Sequence, residues 1–186
     1  MELFTDFQLA SPVPDELIER YRGYVPEQLL EYWKQQGFGS ARDGFIKLIN
    51  PDEYRIRLEG LLPHPHMIPI MATGLADLIV SISGRVVILR YRHGTYGGFT
   101  SNFKFLPSMM ESDTFMQKFL SWAPYPEAVS AQGPLEYDEC FGFVPLLALG
   151  GPERADHLQK MKLIEHIQLI HHLVGPLPPF AEVMTL

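Results

Sequence analysis

The sequence predicts an α+β fold in which N-terminal helices precede a central antiparallel sheet and C-terminal helices pack on that sheet. Two changes in the spacing of apolar residues lead to this prediction. Helical spacing gives way to β-rich runs near Met67 and returns near Asp113. With 186 residues, 46% of them hydrophobic, the chain is long enough to bury its own core without disulfides or metals. We therefore expect one compact unit.

Three helices are predicted ahead of the sheet. The first occupies residues 14–23 and ends at a glycine, and the second starts with a proline and occupies residues 26–37. Trp33 lies on the apolar face of the second helix and is predicted to anchor the core. The sequence Asn-Pro-Asp-Glu at 50–53 is typical of an N-cap, an N1 proline and first-turn acids, and predicts a short third helix.

Three β-rich runs, MIPIMAT, DLIVSIS and RVVILRYR, begin at Met67 and predict a sheet that extends to about Lys104. The second and third runs are predicted to pair as an antiparallel hairpin, because Ser83 and Gly84 separate them. Arg90 and Arg92 alternate with a tyrosine, which is typical of a strand with one wet and one buried face. The glycine-rich residues 94–98 are interpreted as a loop.

Helical spacing returns at Asp113, where an apolar stripe ends with Trp122 and Pro124 closes the helix. Trp122 is predicted to be a second core anchor. Residues 141–149 are interpreted as a buried strand or apolar turn, and residues 161–174 as a helix. The final residues, 177–186, resemble a tail.

Gly150 and Gly151 follow the apolar run at 141–149. We interpret them as structural, in a turn whose backbone angles a side chain would resist.

The charge of the chain argues against nucleic-acid binding. The formal net charge is −7, and only residues 61–110, with four bases and one acid, carry a basic excess. Proteins that bind DNA or RNA need clustered Lys and Arg to displace phosphate counterions. No apolar run reaches the roughly 18 to 20 residues that span a bilayer, and the first ten residues lack the bases of a secretory signal. We expect a cytoplasmic protein without membrane contact.

The sequence contains no recognisable catalytic, cofactor or metal motif. The single cysteine, Cys140, is flanked by Glu139 and a phenylalanine and is interpreted as a buried small hydrophobe rather than a nucleophile. The histidines at 64 and 66 and at 171 and 172 are spaced poorly for zinc, and we interpret them as loop and helix-end residues. The glycines at 94–98 match neither a phosphate loop nor a dinucleotide fingerprint. We therefore expect neither enzymatic turnover nor a cofactor.

Several motifs occur in an order that resembles a known two-part family. The N-terminal part contains PEQLLEYW, then GFG, then DGF and NPDEY. The C-terminal part contains DECFGFVP, then LALGG and an amphipathic closing segment. These motifs resemble a GAD-like module followed by the C-terminal module of type VI secretion immunity proteins. The resemblance implies a GAD-like module at 1–105 and an immunity-protein module at 106–186, tightly packed together.

The resemblance also implies a function. Members of this family are encoded beside toxic effectors, often DNases, and bind the toxin to silence it in the producing bacterium. Carboxylates can pair with the basic groups with which a nuclease holds phosphate. We therefore select Asp43, Glu136, Asp138 and Glu139 as candidate toxin-interface residues, with solvated surface acids as the alternative interpretation of each.

Two other functions stay open from the sequence. The GAD name is shared with a domain of transfer-RNA-charging enzymes, so an RNA-associated module is the first alternative. The second is a small hydrolase with an unfamiliar site, which a deep pocket holding Asp77, His93 or Cys140 would favour. The oligomeric state is not predicted.

Overall fold

The computed structural model describes residues 4–100 and 102–180. Within them, a seven-stranded sheet is antiparallel throughout, and neighbouring strands in space are also consecutive in sequence. Its strands are β1 Gln8–Ser11, β2 Phe38–Ala41, β3 Ile46–Leu48, β4 Ile68–Thr73, β5 Leu78–Ile82, β6 Arg85–Arg90 and β7 Thr95–Gly98. A separate two-stranded sheet pairs β8 Glu139–Phe143 with β9 Leu158–Lys162.

Seven α-helices accompany the two sheets in the described part of the chain. They are α1 Asp15–Tyr21, α2 Glu27–Gln36, α3 Pro51–Arg57, α4 Leu106–Glu111, α5 Asp113–Leu120, α6 Pro124–Gln132 and α7 Leu163–Val174. The predicted α+β class is confirmed, with α1, α2 and α3 lying between strands of the seven-stranded sheet in sequence and α4 to α7 following it. None of the helices in the described ranges is long and apolar enough to cross a membrane.

The local signals at the N-terminus predicted its helices correctly. The side chain of Asn50 accepts a hydrogen bond from the backbone N–H of Asp52 at 3.0 Å, so the predicted cap of α3 is confirmed. Gly37 ends α2 with a φ of 83°, in the left-handed region that glycine adopts at no steric cost. Helix boundaries here follow from the residues that cap them.

Helices cover both faces of the central sheet, which explains why its middle strands are apolar on both sides. On one face, Ile79 and Ile88 belong to the same buried cluster as Trp33 and Phe103. On the other face, Leu78 and Leu89 belong to a cluster that contains α3 and α7 residues. Since successive strand residues point to opposite faces, β5 and β6 contribute to both clusters in alternation.

The prediction that Arg92 faces water is therefore wrong. Residues 91–93 leave β6 as a 3₁₀ turn, and Arg92 is only 5% exposed. Its guanidinium donates to both carboxylate oxygens of Asp77, at 3.0 and 3.3 Å, and to the carbonyl of Leu120 at 3.0 Å. The alternating pattern predicted an exposed guanidinium, but the structure buries it beside the Asp77 carboxylate, which pairs with its charge.

Four boundary predictions also need correction. The sheet begins at Gln8 instead of Met67, because β1, β2 and β3 add to it. Residues 95–98 form the edge strand β7 instead of a loop. Pro124 starts α6 instead of closing α5. The last helix begins at Leu163, because residues 158–162 pair with β8 as β9.

The prediction that residues 177–186 form a tail is wrong for the first of them. Leu177 is buried, and Phe180 packs on the core that contains α7. The remaining residues, 181–186, lie outside the described part of the chain.

Gly150 and Gly151 form a tight corner, as predicted, but for two different reasons. Gly150 has a φ of 88°, a backbone conformation that resists a side chain. Gly151 is restricted by space, because a Cβ atom there would overlap the carbonyl oxygen of Pro145.

We predict that Gly151→Val lowers the yield of soluble protein, because the added side chain cannot fit against the Pro145 carbonyl. Measuring soluble expression and the melting temperature beside wild type checks this. Gly60→Ala is a suitable comparison, because open space surrounds the Cβ position at Gly60 while its φ of 76° still disfavours a side chain. Normal folding of Gly151→Val would contradict the packing argument.

Candidate functional site

The turn between β2 and β3 has an unusual backbone. Three consecutive residues, Arg42, Asp43 and Gly44, have positive φ angles of 55°, 56° and 87°. Non-glycine residues in this region cost on the order of 1 kcal/mol each, and such residues persist only where the surroundings hold them in place. Contacts with the surrounding protein must therefore hold this turn in place.

Those contacts come largely from the C-terminal half of the chain. The carbonyl of Asp43 accepts a hydrogen bond from the hydroxyl of Tyr125 at 2.7 Å and another from the N–H of Leu135 at 3.1 Å. Burial raises the pKa of Tyr125 above its ordinary value, so its hydroxyl keeps the proton that it donates. A Cβ at Gly44 would collide with Leu135, so the two halves meet closely here.

A groove of about 580 Å³ opens beside this turn. Its walls are Asp6, Arg42, Asp43, Asp113, Trp122, Tyr125, Pro126, Val129 and Ser130. The three aspartates are exposed and outnumber the single arginine, so the groove carries negative charge. It can therefore receive the basic side chains of a partner.

Trp122 lies in a wall of this groove. It follows the end of α5 and is half-buried, so the prediction that it is a core anchor is wrong, whereas Trp33 is 1% exposed and fully in the core. The indole of Trp122 packs edge-on against Phe45, with 5.7 Å between ring centroids. One part of the ring thus rests on the core while another part stays accessible to a partner.

Arg42 already places a cation in the groove. Its guanidinium carbon lies 4.9 Å from the centroid of the Trp122 ring, and one of its nitrogens lies 3.2 Å from the Asp113 carboxylate. The backbone N–H of Arg42 donates to Asp6 at 2.7 Å. An aromatic face and carboxylates together form an arrangement that suits an arginine or lysine side chain.

The other three predicted interface residues lie on the segment that precedes β8. Glu136 and Asp138 are exposed, and Asp138 forms an ion pair with Lys162 at 2.7 Å. Glu139 is half-buried, and its carboxylate accepts a hydrogen bond from the N–H of Glu136 at 3.0 Å. The Glu139 carboxylate therefore orients its own segment, whereas the carboxylates of Glu136 and Asp138 face solvent.

Lys47 holds this acidic segment to the sheet. The lysine is 0% exposed, and its ammonium donates to the carbonyl of Glu136 at 2.9 Å. Burial lowers the pKa of Lys47 to about 8, while the nearby thiol of Cys140 and carboxylates of Asp138 and Glu139 act in the opposite direction. The hydroxyl of Tyr137 adds a hydrogen bond to the carbonyl of Leu48 at 3.0 Å.

The structure links the turn of Asp43 to the segment that carries the other three predicted residues. Asp43 is bonded to Leu135, which directly precedes the segment of Glu136, Asp138 and Glu139. Sequence reasoning missed Asp6 and Asp113, which lie far from Asp43 in the chain. It also missed Lys47, although a single lysine inside the apolar run FIKLI was a visible signal.

The residues that would favour a hydrolase are buried or paired: Asp77 and Cys140 are fully buried, and His93 contacts Glu153. Asp77 is fully buried against Arg92, and Glu153 contacts both Arg92 and His93 at 3.3 Å. The cavity next to Arg92 holds about 10 Å³, close to the space of one water molecule. Burial raises the pKa of the Cys140 thiol to about 12, which disfavours the reactive thiolate.

The histidine pairs also have structural positions. His64 and His66 lie in the loop before β4, with ring centroids 5.1 Å apart, and His171 and His172 occupy the last turn of α7. Across residues 4–100 and 102–180, no three or more His, Cys, Asp or Glu side chains are grouped so as to hold a metal ion.

Comparison with known proteins finds two matching family models. Residues 1–63 match the family model of the GAD-like domain, and residues 100–174 match that of the T6SS immunity protein Tdi1, C-terminal, where T6SS denotes the type VI secretion system. These matches confirm the resemblance found in the motifs. No curated protein sequence matches the chain significantly. The groove is built from both matched segments, since its N-terminal wall lies within the first and its helical wall within the second.

A solved structure shares the fold. The crystal structure of Atu4351 from Agrobacterium tumefaciens aligns with a TM-score of 0.67, covering 90% of this chain and 86% of that one. The two sequences are 14% identical, so this likeness concerns the fold alone.

Proposed function

We propose that this chain, which joins a GAD-like domain to a T6SS immunity protein Tdi1 C-terminal domain, is an immunity protein that binds and neutralises a T6SS effector toxin. We further propose that the toxin is a DNase and that it contacts the groove between the two matched segments. The observation that carries the proposal is the groove itself, whose walls contain three exposed aspartates and the half-buried Trp122.

The charge of the groove fits the surface of a nuclease. A DNase must present Lys and Arg to the phosphates of its substrate, and those same groups attract carboxylates on an inhibitor. Long-range attraction between opposite charges speeds association, while a central aromatic ring such as that of Trp122 supplies contact area that slows dissociation. Glu136 and Asp138 extend the acidic surface from the groove along the neighbouring segment.

The same proposal places the protein in the cytoplasm, without catalytic turnover and without direct contact to nucleic acid. In support, two of the four bases in residues 61–110 serve internal contacts. Arg92 is buried against Asp77, and Arg90 donates to the carbonyl of Phe119 at 2.8 Å. These guanidiniums are committed to the fold, which disfavours the RNA-associated alternative. We also propose a module boundary near residue 105, so that the groove would span both modules.

The most direct test is co-expression with the effector encoded beside this gene. We expect the two proteins to co-purify, the effector to lose nuclease activity in the complex, and cells to survive its expression. Continued killing and no complex with the neighbouring effector would overturn the proposal. Binding to bare RNA that weakens with salt, in place of toxin binding, would favour the RNA-associated module.

We predict that charge reversal in the groove weakens toxin binding. Asp43→Lys and Asp113→Lys should each slow association by about tenfold at low salt, with a smaller effect at high salt where screening is stronger. Trp122→Ala should raise the dissociation rate, because it removes the aromatic contact. Surface plasmon resonance at two ionic strengths separates the two effects.

Glu16→Lys provides the matched control. Glu16 is exposed in the first turn of α1 and lies outside the groove, so the same change of charge there should alter association only slightly. Equal slowing by Glu16→Lys and Asp43→Lys would show that net charge, and not the groove, controls binding. Melting temperatures of all variants establish that each one is folded.

A further inference from the structure

A second cavity, of about 530 Å³, lies in the N-terminal half of the protein and differs in charge from the acidic groove. It is lined by Arg20, Tyr21, Gly23, Tyr24, Arg55, His66, Ile68, Ile82, Ser83 and Gly84. No aspartate or glutamate is among these residues. In a chain with a net charge of −7, two guanidiniums that line one cavity are an uncommon local arrangement.

Hydrogen bonds to Asp52 hold Arg20 and Tyr21 in the wall of this cavity. The Asp52 carboxylate accepts one from Arg20 and one from the hydroxyl of Tyr21, and Arg55 lines the same cavity. Arg20 comes from α1 and Arg55 from α3, so the contacts join two helices. A guanidinium has five N–H donors, and these contacts use only part of them.

The remaining lining gives the cavity an aromatic rim and an apolar floor. Tyr24 is 66% exposed, and its carbonyl accepts a hydrogen bond from the hydroxyl of Ser81 at 2.8 Å, which fixes the loop that carries the ring. Ile68 and Ile82 supply apolar surface, and His66 adds an exposed imidazole. The volume lies within the roughly 300 to 1,000 Å³ that is usual for small-molecule sites.

The neighbouring surface limits what this cavity accepts. An adjoining cavity of about 690 Å³ shares Arg20 and Arg55 but also contains Asp52 and Glu59. A long polyanion that extended into it would meet both carboxylates, whereas a compact anion in the first cavity would lie near Asp52 alone, whose charge Arg20 already pairs. The charges therefore favour a small ligand over a nucleic-acid strand.

We propose that this cavity binds a small organic phosphate monoester, whose phosphate contacts Arg55 and Arg20 and whose flat or apolar body packs against Tyr24 and the isoleucines. Two guanidiniums match the charge and the several acceptor oxygens of a phosphate dianion better than they match a neutral ligand. The exposed tyrosine ring provides a stacking surface for a planar group. The site is separate from the toxin groove and does not depend on it.

Isothermal titration calorimetry with adenosine 5′-monophosphate tests the proposal on the full chain. We expect saturable binding, at least tenfold weaker binding of adenosine, which lacks the phosphate, and weaker binding of inorganic phosphate, which lacks the flat body. Arg55→Gln should weaken binding of the monophosphate by about tenfold or more, and Tyr24→Ala should weaken it as well. Each of these losses follows from a named contact.

Arg57→Gln is the matched control, because Arg57 lies on the same helix, pairs with Glu165 at 2.6 Å and lines neither cavity. It should bind the monophosphate as wild type does. Absence of saturable binding to wild type would overturn the proposal, as would equal losses in Arg55→Gln and Arg57→Gln. Tighter binding of a single-stranded oligonucleotide than of the monophosphate would also overturn it, since the ligand class would then be a strand. None of these outcomes depends on toxin binding.

Discussion

Trp33→Ala is expected to destabilise the protein by about 3 to 5 kcal/mol, the usual penalty for removing a large aromatic side chain from a core. Trp33 is 1% exposed and packs edge-on against Tyr21 and Phe38, with centroid distances of 6.1 and 5.5 Å. Alanine would leave a cavity between α1, α2 and the sheet. Chemical denaturation followed by circular dichroism measures the loss.

Trp33→Phe separates the effect of volume from that of the indole N–H. The indole nitrogen of Trp33 is buried and has no hydrogen-bond partner among the described residues, so phenylalanine should recover much of the packing and remove an unsatisfied donor. We expect a clearly smaller loss of stability than for alanine. Equal stabilities of wild type and Trp33→Ala would contradict the central place that the structure assigns to this residue.

Arg92→Met is expected to cost a similar amount, about 3 to 5 kcal/mol, because it leaves the Asp77 carboxylate buried and without its cation. Arg92 also holds the carbonyl of Leu120 and contacts Glu153, so it links the sheet to two C-terminal segments. Methionine keeps most of the side-chain volume, and the loss therefore reports mainly on charge. Urea denaturation of the variant provides the measurement.

The double variant Arg92→Met/Asp77→Leu is the informative comparison. Replacing both members of a buried ion pair by apolar residues is often close to neutral, so we expect the double variant to be more stable than Arg92→Met alone. If the two substitutions were simply additive, the pair would not be coupled, and the contact at 3.0 Å would not control stability.

The sequence correctly predicted the helix cap and the hairpin turn, both of which depend only on adjacent residues. Asn50 caps α3 through a neighbouring N–H, and the hairpin of β5 and β6 closes through Ser83 and Gly84, so in both cases a few adjacent residues contain the information. The strands that were missed are short, such as β3 with three residues, and they depend on partners that are distant in sequence. Periodicity needs longer windows than these strands provide.

For the candidate site, too, the sequence predicted some residues but not the groove that the fold builds. Asp43, Glu136, Asp138 and Glu139 are predicted from their charge and motif positions, and the structure connects Asp43 to Leu135, next to the other three. The groove itself was not predicted, because Arg42 and Asp113 are separated by 71 residues and meet only through the fold. Trp122 was misassigned to the core because an apolar stripe does not reveal where a helix ends.

The order of strands in the central sheet has a consequence for how the chain folds during synthesis. Because β4, β5, β6 and β7 pair in sequence order across short connections, these contacts have low contact order and can form as the polypeptide leaves the ribosome. The covering layers arrive later, since Phe103, Tyr125 and Ile167 come from the last half of the chain. Until then, the apolar faces of a nearly complete sheet are only partly covered, by α1, α2 and α3, so we expect nascent chains to need protection from aggregation during the final third of translation.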